Sequence, residues 1–175
     1  TEFLYIMPVH IYWGEDDFLL SKAVDALRAQ HLDREWELLN YIQIAPADKD
    51  NIANALVEIA TAPLGEGGKI VHLPQSSLLG ACPLEVIAEL EKTLPNIPEN
   101  NILLITSAKK PDERNKSVKL ILQYAQLKTF PIIPQWESTK IVSQVKSFAS
   151  SMGVKLTNDA VAALVEAVGN NSRQA

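Results

Sequence analysis

Apolar positions along the chain change their period several times, and each change marks an element. The runs "VHIYW" (9–13), "ELLNYIQI" (37–44), "KIVHL" (69–73), "NILLITS" (101–107) and "KTFPII" (128–133) are short, apolar and bounded by polar or turn-forming residues, as strands are. Between them the period lengthens to that of a helix. Leu20, Val24 and Leu27 fall at i, i+4 and i+7, as do Ile52, Leu56 and Ile59, while Ile87, Leu90 and Leu94 fall at i, i+3 and i+7. A fourth helix is expected from about Asn115 to Ala125, with Val118, Ile121, Leu122 and Ala125 as its apolar stripe. The connections "APLGEGG", "LPNIPEN" and "SAKKPDERN" carry the Gly, Pro and Asn of loops. Strands alternating with helices predict βαβ units, hence an α/β fold with a five-stranded, mainly parallel sheet flanked by helices.

After Ile133 the alternation ends. "PIIPQW" places two prolines around a short apolar pair and reads as a stiff linker. Only helical spacing follows: Ile141, Val145, Phe148 and Met152, with Gly153 as the C-terminal stop, then Val161, Leu164, Val165 and Val168 before Gly169. Two short amphipathic helices cannot bury both their faces alone, so 135–175 is expected to be an incomplete small helical lid beside an α/β domain over 7–134. "TEFLYI" (1–6) reads as a vector remnant, with Met7 as the natural start. "VGNNSRQA" stops where another helix is expected.

Composition narrows the functional classes. The 175 residues suffice for one medium domain and part of another. A net charge of −5 argues against a surface built for phosphate contacts, so any involvement with DNA is expected to be indirect. The single cysteine, Cys82, excludes an internal disulfide and a multi-cysteine zinc site, which fits a reducing, cytoplasmic setting. No window approaches 18 uncharged apolar residues, and the N-terminus has no signal-peptide pattern, so no membrane association is expected.

One stretch, "HIYWGEDDFLLSKAV" (10–24), has the strand, glycine and helix order of a phosphate-binding turn. Yet Glu15, Asp16 and Asp17 occupy the loop, and no G-K-[ST] occurs in the chain. Carboxylates there favour the helix through its dipole and repel a triphosphate. The third strand, "KIVHLPQSS", also lacks the acidic pair that would hold Mg²⁺. A receiver-type or other nucleotide-binding α/β domain acting in signalling is the rival reading, since "WGEDDF" and "LLITSA" fit a receiver superficially. The phospho-acceptor Asp required at the end of the third strand and the lysine at the end of the fifth are both missing.

A five-stranded α/β domain joined by a proline linker to a small helical lid resembles a clamp-loader AAA+ (RecA-like) module. "HIYWGEDDFLLSKAVDALR", "TAPLGEGGKIVHL", "NILLITSAKKPDERNKSVKLI" and "VGNNSRQA", in that order and spacing, are similar to the delta-subunit family of bacterial DNA polymerase III. The resemblance covers Met7 to Ala175. It implies a subunit that lacks the P-loop, binds no cofactor or metal and is not catalytic by itself, although it belongs to a DNA-directed polymerase holoenzyme. Such a subunit binds and opens the ring-shaped sliding clamp beside other loader subunits, and meets DNA through the assembled loader. A collar domain is implied beyond Ala175.

By the same resemblance the clamp-contacting tip falls on Pro63 and Leu64, flanked by Ala62 and Gly65. Neither central position is aromatic, which departs from the family's usual pair. The alternative is a helix-ending turn with Leu64 tucked onto the domain. The basic cluster Lys109, Lys110, Arg114, Lys116 and Lys119 is either a contact for DNA or a neighbouring subunit, or a solvated helix face interrupted by Asp112 and Glu113. His10 and His72 are expected to be buried, Trp13 and Trp36 to be core or core-edge aromatics, and Cys82 to have a thiol pKa lowered by a helix start.

Overall fold

The computed structural model describes residues 7–45, 49–134, 136–169, 171 and 173. Residues 1–6, read above as a remnant, and part of the "VGNNSRQA" segment lie outside them. Five strands, β1 (Val9–Trp13), β2 (Tyr41–Gln43), β3 (Lys69–Pro74), β4 (Asn101–Ser107) and β5 (Ala125–Thr129), form one sheet in the order β2-β3-β4-β1-β5. Every pairing is parallel, so the expected "mainly parallel" sheet is parallel throughout. The helices are α1 (Asp17–His31), α2 (Glu37–Asn40), α3 (Lys49–Ala60), α4 (Leu84–Thr93), α5 (Lys116–Leu122), α6 (Ser138–Ser151) and α7 (Asn158–Val168).

This order determines which face each helix covers. From β1 the chain crosses to the far edge, whereas the β2–β3, β3–β4 and β4–β5 steps all run back the other way. Right-handed crossovers then put α1 on one face of the sheet and α3, α4 and α5 on the other. The packing agrees. Val24 and Leu27 of α1 bury against Tyr12, Ile70, Ile102 and Leu104. Ile52 and Ile59 of α3, Leu90 of α4 and Ile121 of α5 bury against Val9, Ile11, Val71, Leu73, Leu103 and Ile105. The two sets of strand residues alternate, as the two-residue period of a strand requires.

Three boundaries differ from expectation. The first half of "ELLNYIQI" is the short helix α2, and only Tyr41–Gln43 joins the sheet. The last strand begins at Ala125 rather than Lys128, because Ala125–Thr129 match Val9–Trp13 residue for residue. Its ladder closes with Phe130 N–H donating to the Trp13 carbonyl at 2.8 Å; Pro131, next along, has no N–H to give. Its first residues carry no strand signal because, as an edge, the strand exposes "QLKT" and shows no apolar run there. Correspondingly, α5 stops at Leu122.

Beyond Pro134, α6 and α7 pack on one another through Ile141, Val145 and Val161. Gly153 has φ +72°, the left-handed conformation that stops a helix. Met152 of the expected stripe is exposed. Phe148 stacks on Phe18 of α1 with ring centroids 5.7 Å apart, which ties the helical pair to the start of α1.

Two histidines are buried on the α1 face. The ring nitrogens of His72 lie 2.8 Å from the Tyr41 hydroxyl and 2.9 Å from that of Thr106, so one side chain joins β2, β3 and β4. The Gln126 amide lies 3.1 Å from a ring nitrogen of His10. Burial holds the pKa of each down to about 4, from an ordinary 6.5. As pH falls from about 6.5 towards 4 the unfolded chain takes up protons that the folded chain refuses, so stability falls across that window and this loss is complete below it. Each shift of this size is worth on the order of 3 kcal/mol. The urea midpoint is therefore expected to drop steeply between those values, and a His10→Gln/His72→Gln double variant is expected to lose most of that slope. A wild-type midpoint that stays flat across the window would contradict the buried neutral histidines.

Candidate functional site

At the carboxyl end of the sheet, the turn between β1 and α1 lies where strand order reverses and where α/β proteins usually bind ligands. Here the turn is closed by its own chain. The Gly14 N–H donates to the Ser107 carbonyl at 3.0 Å and the Asp16 N–H to that of Phe130 at 3.0 Å. Asp16, buried, caps α1 by accepting from the Leu19 N–H at 3.0 Å. Asp17 meets the Arg173 guanidinium at 3.0 Å. The N–H groups of Gly14, Asp16 and Leu19, which a phosphate would compete for, are thus engaged, and the surrounding side chains are acidic. Gln75, with φ +50°, follows β3 and accepts from the Ala108 N–H, where a metal-binding carboxylate would otherwise stand.

Gly14 is required for a different reason. Its φ is +149°, and a Cβ there would come 2.2 Å from the Phe130 carbonyl oxygen.

The predicted tip lies at the opposite, amino end of the sheet, on the loop between α3 and β3. Leu64 is 54% exposed, Ala62 and Gly65 are exposed, and Pro63 is half-buried. Leu64 is therefore not tucked onto the domain. Its backbone is held by Asn40, which is fully buried. The Leu64 N–H donates to Asn40 Oδ1 at 2.8 Å, and Asn40 Nδ2 donates to the Leu64 carbonyl at 2.8 Å. One amide side chain thus replaces the partner strand that this loop lacks.

The loop is anchored before and after that point. Lys69, 5% exposed, extends its ammonium to Glu58 at 3.0 Å and to the Thr61 hydroxyl at 2.6 Å. Asn101 Nδ2 donates to the carbonyls of Ile59 and Thr61 at the end of α3. Leu32 bridges to Gly67, and the Gly68 N–H donates to the His31 carbonyl at 3.1 Å. Gly65, at φ +66°, lies beneath the Trp36 ring, leaving a Cβ only 2.1 Å from Cε2. Trp36 thus packs on the loop rather than in the core. None of Asn40, Lys69 and Asn101 stood out in the sequence. A polar residue at the head of an apolar run was the available signal for Lys69 and Asn101; Asn40, inside "ELLNYIQI", gave none.

The basic cluster lies at the carboxyl end, on the loop after β4 and on α5. Arg114 grips Asp112 with two bonds of 2.8 and 2.9 Å, Lys110 lies 3.6 Å from Glu113 and Lys116 lies 3.4 Å from Glu91. Lys109 and Lys119 make no ion pair among the described residues. The cluster is thus largely neutralised and lies at the other end of the sheet from Leu64. Cys82 also departs from expectation. Its thiol donates to the Ser77 carbonyl at 3.4 Å, and burial raises its pKa instead of lowering it.

The family described as "DNA polymerase III, delta subunit" matches residues 10–130 of the chain. The structure of the Bacillus subtilis DNA clamp loader delta protein (YqeN) superposes with a TM-score of 0.77 at 18% identity, covering 97% of this chain and 50% of that one. The chain therefore spans half the length of that protein. No curated protein sequence matches it.

Gly14→Ala is expected to destabilise the protein by about 3 kcal/mol or more, since both the backbone conformation and the Phe130 carbonyl oppose a methyl group. Denaturant titration measures this; a loss under 1 kcal/mol would mean that the turn relaxes freely.

Proposed function

The chain belongs to the DNA polymerase III delta-subunit family, and from that premise we propose that it is the clamp-contacting part of a clamp loader, with Leu64 as the principal anchor on the sliding clamp. The observation that carries the reading is an apolar side chain held out to solvent on a loop whose backbone is fixed by a buried amide. A pre-formed anchor loses little conformational freedom on docking, which is what a hot spot requires. Pro63, Ala62 and Gly65 shape the base of the contact.

The subunit works by binding and opening the ring, without ATPase activity of its own. Support comes from the acidic β1–α1 turn, where the N–H groups of Gly14, Asp16 and Leu19 are taken up within the chain. Other loader subunits are its permanent neighbours and DNA is met through the assembly. Lys109 and Lys119 are the members of the basic cluster best suited to such a contact. No described helix is long and apolar enough to cross a membrane. The assignment places the protein with the replication machinery in the cytoplasm. On this reading residues 7–134 act as the α/β domain and 135–175 as part of a helical lid that follows the proline linker.

Leu64→Ala should weaken binding to the cognate clamp at least tenfold, as loss of a buried apolar anchor costs on the order of 2 kcal/mol. The melting temperature should stay within about a degree, because the truncated atoms are exposed. Pro63→Ala should do less. Normal binding by a destabilised Leu64→Ala variant would sink the reading, as would a stoichiometric Mg-ATP site in calorimetry the ATP part of it. For the domain boundary, limited proteolysis is expected to trim the chain after about Trp136 and to leave the α/β part intact. Resistance to cleavage there until global unfolding would argue for a single unit.

A further inference from the structure

Leu38, Leu39 and Trp36 are 95, 54 and 36% exposed, all within or beside the four-residue helix α2. A single exposed leucine signifies nothing. Here spacing and contact give more. Trp36, Leu39 and Asn40 stand at i, i+3 and i+4 and so share one helix face, whereas Leu38 projects elsewhere. Two members of that face are already committed to the tip loop: Asn40 through both bonds to Leu64, Trp36 by lying over Gly65. The face that carries Leu39 is thus continuous with Leu64.

Charge around it is uneven. Glu35 and Glu66 are exposed and Asp33 half-exposed, against Arg34, while Arg28 and Glu37 neutralise each other at 2.6 Å. An apolar face with an acidic rim repels nucleic-acid phosphates and suits an apolar protein cleft bordered by basic side chains. We infer that α2 and residues 62–65 form one two-part docking face, with Trp36 and Leu39 entering the same basic-rimmed apolar cleft of a protein partner as Leu64. This rests on the reading of Leu64 as the clamp contact, which makes the sliding clamp the occupant. Tryptophan is the residue most enriched among interface hot spots, and the tip lacks an aromatic of its own; Trp36 supplies it from the neighbouring helix.

The test measures affinity of the full-length protein for the cognate sliding clamp. Leu39→Asp is expected to weaken binding at least tenfold and Trp36→Ala comparably, while Leu38→Asp stays within about twofold of wild type. Wild-type affinity is expected to fall as salt rises, as the charged rim is screened. Trp36→Ala also removes packing on Gly65 and so perturbs the loop itself, which makes Leu39→Asp, at an exposed side chain, the deciding variant. Loss on Leu64→Ala with full binding by both Leu39→Asp and Trp36→Ala would overturn the two-part face and leave the tip reading standing. Full binding by Leu64→Ala would overturn the tip reading itself. Equal loss with Leu38→Asp would overturn the assignment of a particular face.

Discussion

The position of β1 inside the sheet, one strand from its edge, governs the rest of the molecule. With β4 on one side and β5 on the other, the first crossover must run against the direction of the three that follow, and right-handedness then leaves α1 alone on its face. The same arrangement opens a crevice at the carboxyl ends of β1 and β4, the usual seat of a ligand. In this chain donors of the turn are engaged from within: the carbonyls of Ser107 in β4 and of Phe130, just past β5, take the N–H groups of Gly14 and Asp16, and Asp16 takes that of Leu19. The proposed contact lies instead at the amino ends of the strands, where α1 terminates and the α3–β3 loop begins.

That end is organised by buried polar side chains rather than by apolar packing. Asn40, Lys69 and Asn101 are each at most 5% exposed, and each is spent largely on the loop or on the last turn of α3. A loop of this length with a half-buried proline and three glycines would otherwise sample many conformations. Hydrogen bonds inside low-dielectric surroundings are directional, and an unmade one is costly, so they select a single path for the chain.

Much of the architecture was legible in the sequence because it depends on period. Four helices of the α/β region and three of the strands carry their apolar spacing openly, and the loss of alternation after Ile133 marks the helical pair. What period cannot report is an edge strand that buries little, and so β5 was placed three residues late. Nor can it separate a short amphipathic helix from a strand, since "ELLN" is apolar in both readings but turns its leucines outward. The candidate tip came from resemblance to a family. Its mode of support did not, because Asn40 and Leu64 are twenty-four residues apart and nothing local couples them.

The two bonds from Asn40 reach only the main chain of residue 64, and this has a consequence for how such a surface diversifies. No atom beyond Cα at that position helps to hold the loop in place by these bonds. The scaffold therefore works as a socket for interchangeable heads: the side chain at position 64, the proposed anchor, can be exchanged for a larger or more polar one while the path of the backbone is kept. Partner preference and foldability become separately adjustable traits, and a lineage can track changes in its partner one substitution at a time.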